Sequence, residues 1–521
     1  MTPKLSAKAL AGGPSGAATS TAPSLVLPLA DDAATRRLGE DLAMAVRPGE
    51  VVALAGDLGA GKSTLARALI RTLAADPELE VPSPTYTLVQ SYDTLPPVAH
   101  FDLYRLSEPS ELDELGFEEA AQASVVLVEW PERAEAVQTR ADLRVALEIE
   151  GDGRRATITG DDAPMQRLSR SLAIRAFLER SGIPVANRRR FQNDASPRRY
   201  ETVERDGRTA IVMDAPRLPA GVPVRDGLPY TRVAHIAEDV LPFVALATAL
   251  RERGFAAPRI FDADLDAGLV LLEHLGADGP LDAERRPLTE RYRQAAVVLA
   301  ELHATAWPRD HLLPGGLTHR VPDFDRGALT IEVELMLEWY CPFGFGRPAT
   351  AAEREAFAAV WSSLFDRLET ADRSLVLRDY HSPNIIWRPA ESGRERIGIL
   401  DFQDSMIGPS AYDLASLAQD ARVDMPPELE ATLYADYVAA RTAAGVFDPA
   451  GFAEAYAITA AQRATKLLGI FVRLKLRDGK PQYLGHIPRI KGYLDRTLGH
   501  PVLAELRALY RAWGIVERDA R

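Results

Sequence analysis

Cysteine is all but missing from this 521-residue chain. Cys341 is the only one, so no intramolecular disulfide can form, and its apolar neighbours mark a packing residue rather than a nucleophile. No apolar run approaches the roughly 20 residues that a membrane-spanning helix needs. A basic surplus is absent too: the formal net charge of -13 argues against non-specific nucleic-acid binding by the whole chain and leaves room only for a local basic patch. The first two dozen residues carry Lys4 and Lys8 but no arginine and no acid, with poor amphipathic periodicity. That argues against a transit peptide and for a disordered tail over residues 1–23 of a cytoplasmic protein. Neither an internal repeat nor a low-complexity tract interrupts the rest.

What is present is ordinary for a globular protein, with 46% hydrophobic and 26% charged residues. The length is too great for one core, so two or more domains are expected. Near the start, Gly56-Asp57-Leu58-Gly59-Ala60-Gly61-Lys62-Ser63 follows the apolar run Val51 to Ala55 and precedes a helical pattern. This is the strand, loop, helix order of a Walker A site. Its glycines let backbone N–H groups converge on phosphates, Lys62 reaches the β- and γ-phosphates, and the Ser63 hydroxyl takes a Mg²⁺ position. Gly56, Gly59, Gly61, Lys62, Ser63 and Thr64 are thus the expected ATP-binding set. Downstream, Ser83 to Val89 opens a β-rich stretch, His100 to Arg105 follows on a strand, and Val125 to Glu129 is a buried strand ending in an acid. A carboxylate at a strand end beside a Walker A loop is where a second metal-binding residue is wanted, which singles out Glu129, and Glu129 with Asp102 on the neighbouring segment are the candidate catalytic acids.

These segments, with Glu114 to Glu119, resemble the small ATPase subunit (TsaE) of bacterial tRNA threonylcarbamoyladenosine biosynthesis over residues 24 to 160. The resemblance implies ATP hydrolysis within a complex with the tRNA threonylcarbamoyl transferase and its partner subunit. tRNA is reached only through that complex. It also implies that Asp102, Glu129 and Trp130 are functional acidic and aromatic positions and that Thr85 lies in a switch-like loop.

Gly151-Asp152-Gly153 reads as a hairpin turn, and Gly160-Asp161-Asp162-Ala163-Pro164 as a short connector. The first domain is therefore expected over residues 24–162 and a second over 163–521, opened by a helix bearing Leu168, Leu172, Ile174, Phe177 and Leu178.

The second domain has the order of a two-lobed kinase: paired strands at Tyr200 to Arg205 and Thr209 to Met213, a helix from about Ala237 to Arg253, and a strand from Leu269 running into a hinge at Glu273 to Gly276. Asp379-Tyr380-His381-Ser382-Pro383-Asn384 follows an apolar strand, and Ile399-Leu400-Asp401 follows at the usual interval. Phosphoryl transfer to a hydroxyl needs a base and a Mg²⁺ clamp. Asp379 fits the base, Asn384 and Asp401 the metal positions, and Glu273 the nucleotide-binding hinge. The region from about 165 to 515 resembles the aminoglycoside phosphotransferase superfamily, and within it the anomeric kinases of N-acetylmuramate and N-acetylglucosamine. The matching segments include Asp194 to Tyr200, Met213 to Pro216, Tyr412 to Leu414 and Gln462 to Leu474. The resemblance implies phosphorylation of an amino sugar's 1-hydroxyl in peptidoglycan recycling. Two positions depart from the general kinase pattern: Leu377 replaces the usual histidine and Met213 the usual phosphate-binding lysine. Arg198 and Arg199 are either substitute cations or solvated surface residues. The basic run Arg463, Lys466, Arg473, Lys475, Arg477 and Lys480 is either an acid-binding patch or a solvated helix face.

The expected fold is an α/β P-loop NTPase domain followed by an α+β two-lobed protein-kinase-like domain. Two competing functions keep that fold. In one, the C-terminal domain phosphorylates an aminoglycoside, choline or another small alcohol. In the other, it is a non-catalytic regulator of the tRNA-modification complex.

Overall fold

The computed structural model describes residues 23–108, 110–183, 187–191, 198–219 and 221–516. The expected tail, save Pro23, and the stretch from Asp194 to Pro197 lie outside them. The chain divides into two compact units, residues 1–190 and 191–521.

In the first unit one sheet has the strand order Ser24–Leu29, Gly153–Gly160, Leu143–Glu150, Val51–Ala55, Val125–Glu129, Val98–Asp102, Val89–Tyr92. Its centre is parallel and its edges antiparallel. Val51–Ala55 and Val125–Glu129 are buried almost throughout, as strands covered on both faces must be. The helix Asp32–Ala45 starts where Asp31 Oδ1 accepts the Ala34 N–H at 2.7 Å, a side-chain cap on an otherwise orphaned donor. The strand holding His100 stops at Asp102, so Leu103 to Arg105 lie beyond it. The two-residue turn at Gly151-Asp152 joins its strands as expected.

The boundary expected at Asp162 falls elsewhere. A single helix, Asp162–Arg180, starts one residue after the sheet and packs on the first unit. Met165 and Leu168 join the core that holds Leu42, Leu65, Val145 and Ile158. The tie is also electrostatic. Asp41, 1% exposed, receives Ser171 Oγ at 2.9 Å, Arg175 Nε at 2.5 Å and Arg188 NH1 at 2.7 Å. Asp161, Asp162 and Pro164 look like a turn in sequence, yet they are equally the residues that suit a helix's first turn.

In the second unit Arg199–Arg205, Arg208–Asp214, Leu269–Glu273 and Ile260–Asp264 align antiparallel, with the expected turn at Asp206-Gly207. Helix Leu241–Glu252 accompanies them. Beyond Thr289 helices dominate, the longest being Pro449–Leu476. Cys341 is fully buried, and burial pushes its thiol up to about 11.

A fragment ending at Asp162 strips Asp41 of three donors and opens the core at Met165 and Leu168. It should lose about 3–5 kcal/mol relative to one ending at Arg190, the cost of breaking a buried ion pair. Urea unfolding of the two fragments measures this, and equal midpoints would show that the helix is dispensable.

Candidate active sites

The N-terminal site is built at the strand ends. Gly56 leaves Val51–Ala55 with φ 139°, and a Cβ there would lie 2.4 Å from the Leu147 carbonyl oxygen, so only glycine permits the exit. Gly59 and Gly61 are also in positive φ, and Gly61 leads into helix Lys62–Ala74. The Lys62 ammonium donates to the carbonyls of Gly56 at 2.7 Å and Asp57 at 3.0 Å and lies 3.7 Å from the Trp130 ring centroid. Burial lowers its pKa, against the opposing pull of Glu129, Glu132, Asp102 and Asp57.

Parallel pairing sets Asp102 directly across from Glu129. Ser63 Oγ donates to Glu129 Oε2 at 2.8 Å, and His100 Nε2 faces Glu129 Oε1 at 3.0 Å. Asp102 Oδ2 accepts from Ser83 Oγ at 2.5 Å and Thr85 Oγ1 at 2.8 Å, while the Tyr104 N–H donates to Oδ1 at 3.1 Å. Trp130, itself at φ 60°, packs on Tyr104. The structure thus brings together Gly56, Lys62, Ser63, Asp102, Glu129, Trp130 and Thr85. Thr64 instead lines a separate cavity with Arg36 and Arg67. Two contributors carried no signal of their own. His100 reaches Glu129 only through strand register, and Arg154, from a distant strand, donates to the carbonyls of Ala60 and Gly59, both at 3.1 Å.

In the second unit a cavity of about 470 Å³ gathers Asp379, Asn384, Asp401 and the segment Glu273 to Gly276. The Glu273 carboxylate is turned to structure, accepting from Arg251 NH1 at 3.3 Å and the Arg259 N–H at 3.1 Å. Asn384 Nδ2 donates to the Asp379 carbonyl at 2.9 Å and stands 3.4 Å from Asp401 Oδ2. Asp401, at φ 57°, accepts at Oδ1 from Gln403 Nε2 at 2.8 Å and Arg198 NH1 at 3.2 Å. Arg199 is exposed on its strand, so of the two arginines only Arg198 meets the metal-type acid. Met213 is 1% exposed, a core residue between Tyr200 and Val270.

Asp379 Oδ1 lies 3.7 Å from His381 Nε2. Burial works to raise its carboxyl, but His381, Lys466 and Arg378 outweigh that and hold it well below the usual carboxylate range. The loop is anchored from behind. The N–H groups of Leu377 and Arg378 donate to Asp413 at 2.6 and 2.8 Å, and His303 Nε2 meets the same carboxylate at 3.3 Å. With Leu377 in the core, the histidine that reaches this anchor comes from helix Thr289–Ala304. Arg378 and Lys466 both pair with Glu332, Lys466 at 2.8 Å, and Gln462 Nε2 donates to it at 2.9 Å. Arg463 and Lys466 are buried. The solvated-face alternative therefore does not hold for these two.

Among the described residues no group of three or more His, Cys, Asp or Glu side chains is arranged to cage a metal. The pairs Ser63 with Glu129 and Asn384 with Asp401 instead supply the few oxygen donors that suit Mg²⁺, an ion that keeps waters and phosphate oxygens as its other ligands.

The family of threonylcarbamoyl adenosine biosynthesis protein TsaE matches residues 29–157, and the phosphotransferase enzyme family matches residues 187–454. A protein described as N-acetylmuramate/N-acetylglucosamine kinase from Caulobacter vibrioides is 36% identical over 362 residues, covering 67% of this chain and 98% of that protein. One of the same description from Pseudomonas putida is 32% identical over 331 residues, covering 63% of this chain and 88% of that protein. The tRNA threonylcarbamoyladenosine biosynthesis protein TsaE of Rickettsia felis is 37% identical over 131 residues, covering 25% of this chain and 76% of that protein.

Asp413→Asn leaves the shape of the anchor but turns one of its two oxygens into a donor facing an N–H. The variant should lose about 2–4 kcal/mol, the cost of buried charge-assisted hydrogen bonds, read from urea unfolding. An unshifted midpoint would mean that the backbone at Leu377 and Arg378 is held by something else.

Proposed function

The chain belongs to the TsaE family in its N-terminal part and to the phosphotransferase enzyme family in its C-terminal part, and from that premise we propose two phosphate chemistries in one protein. The first unit hydrolyses ATP in support of threonylcarbamoylation of tRNA adenosine 37, acting with the tRNA threonylcarbamoyl transferase and its partner subunit. The second transfers the γ-phosphoryl group of ATP to the 1-hydroxyl of N-acetylmuramate or N-acetylglucosamine, in the cytoplasm, as part of peptidoglycan recycling. Among the described residues no helix is long and apolar enough to cross a membrane. The observation that carries the second assignment is the near full-length match to the Caulobacter vibrioides kinase, together with a cleft that gathers Asp379, Asn384 and Asp401.

In the kinase reaction Asp379 accepts the proton of the sugar's 1-hydroxyl as that oxygen bonds to the γ-phosphorus, and ADP leaves with the electrons of the broken P–O bond. The lowered carboxyl pKa keeps Asp379 deprotonated at neutral pH. Asn384 and Asp401 would hold Mg²⁺, which would supply charge neutralisation at the phosphates. Arg198 supplies positive charge in place of the lysine that Met213 displaces. In the ATPase, Gly56 to Ser63 wrap the phosphates, Lys62 leaves its carbonyl partners and the Trp130 face for the γ-phosphate, and Ser63 and Glu129 would hold the ion. Asp102 fixes the loop bearing Thr85. Silence of the C-terminal unit across a panel of amino sugars, aminoglycosides and choline would favour the regulator alternative.

Asp379→Asn should lower kcat for N-acetylmuramate by about 10²-fold or more while calorimetric ATP affinity stays near normal, because it removes a general base and no nucleotide contact. Lys62→Ala should abolish ATP hydrolysis by the first unit and spare sugar phosphorylation. Near-normal turnover of Asp379→Asn would remove the catalytic loop from the mechanism, and a folded Lys62→Ala protein without kinase activity would end the independence of the two sites.

A further inference from the structure

The helix that follows the phosphate loop carries a second concentration of positive charge that neither proposed activity uses. Within the first unit a cavity of about 390 Å³ is lined by Arg36, Thr64, Arg67, Arg71, Arg188 and Arg189. Most of these cations are committed. Arg188 is paired with Asp41 at 2.7 Å, Arg36 with Asp32 at 2.6 Å, and Arg189 NH2 donates to the Ala75 carbonyl at 3.3 Å. Arg67 and Arg71 differ. Arg67 Nε donates to the Val81 carbonyl at 3.2 Å and Arg71 Nε to the Leu79 carbonyl at 2.9 Å, which fixes both side chains. Among the described residues their NH1 and NH2 groups make no hydrogen bond or ion pair.

Thr64, Arg67 and Arg71 stand three and four residues apart on one helix, the spacing that stacks side chains on one face. Two anchored guanidinium forks side by side match the oxygens of a phosphate, and their fixed orientation reduces the entropy lost on binding. The acids at the cavity do not cancel them. Glu40 is held by Arg175 at 2.9 Å, and Asp76, whose Oδ1 accepts the Glu78 N–H at 2.9 Å, sits with Glu78 at the exposed rim. That acidic rim and the chain's net charge of -13 oppose a long polyanion. The volume is within the range of small-molecule pockets.

We propose that this cavity is a second anion site, which takes a small phosphomonoester of about sugar-phosphate size with its phosphate between Arg67 and Arg71. It is separate from the ATP-binding loop, though Thr64 adjoins Ser63 in the chain. It stands whatever the acceptor of the kinase proves to be.

Calorimetry on the full-length protein, held in saturating ADP and Mg²⁺ so that both nucleotide sites are filled, tests it. N-acetylglucosamine 1-phosphate, inorganic phosphate and a single-stranded RNA oligomer are titrated in turn. The sugar phosphate should bind saturably, and Arg67→Ala/Arg71→Ala should weaken that binding about tenfold or more, as lost charge-assisted hydrogen bonds do, with ADP affinity unchanged. Inorganic phosphate that binds with the same dependence on the two arginines also supports the site and assigns recognition to the phosphate alone. Should the double variant fail to fold, Arg71→Gln reads the same loss. The proposal is overturned if neither small anion gives saturable heat, if the isotherm is the same in the variants, as binding in the kinase cleft would make it, or if the RNA binds more tightly than both.

Discussion

A carboxylate taken out of water must be met by donors, because an unpaired buried charge costs several kcal/mol. This chain buries one at each place where its architecture is decided. Asp41 joins the helix Asp32–Ala45 to Ser171, Arg175 and Arg188, Glu129 joins the phosphate-loop helix to the sheet, Asp413 holds the backbone at Leu377 and Arg378, and Glu332 draws Arg378 and Lys466 beneath Asp379. Each is 2% exposed or less. The donors come from elements distant in sequence, so satisfying each acid brings those elements together. Chemistry and fold thus rest on the same bonds.

The parts of the sites visible in sequence are those whose geometry is local. A loop that wraps phosphate is a run of consecutive residues, and Gly56 to Ser63 can be recognised without knowing what lies opposite. The same holds for Asp379 to Asn384. What sequence conceals is register. His100 reads in sequence as part of a strand, but only the pairing of Val98–Asp102 with Val125–Glu129 brings its ring to Glu129. Arg154, which no motif marks, holds the phosphate loop from outside. The run containing Arg463 and Lys466 illustrates the limit from the other side. Charge in a helix reads as solvent-facing, and only an acid on another helix, Glu332, reverses that.

The two departures from the kinase pattern resolve along the same line. Leu377 can be apolar because its backbone N–H, not its side chain, is what the Asp413 anchor requires, and His303 approaches that anchor from another helix. Met213 lies in the core, and Arg198, on the approach to the neighbouring strand, faces Asp401 directly. In both cases a basic side chain arrives from another position, His303 at Asp413 and Arg198 at Asp401. A missing motif residue therefore carries less weight against activity than the loss of Asp379, Asn384 or Asp401 would, since those three gather in the cleft itself.

The end of the first unit shows what such bonds do to a domain boundary. The match to the TsaE family stops at residue 157, whereas the compact unit runs to Arg190. The added residues are not a string tied to a finished domain. Ser171, Arg175 and Arg188 supply donors to Asp41, and Met165 and Leu168 fill the core beside Leu65. Asp41 follows Gly39 on its helix by two residues, and a Cβ on Gly39 would lie 2.6 Å from the Leu65 carbonyl oxygen and 2.8 Å from the Ala68 Cβ. The helix that carries Asp41 is thus pressed backbone to backbone against the helix that begins at Lys62. Close-packed interiors transmit strain rather than absorb it. A shift of the helix Asp162–Arg180 that moved Asp41 would therefore bear on the phosphate-loop helix, which makes the segment leading to the kinase unit part of the ATPase's own structure.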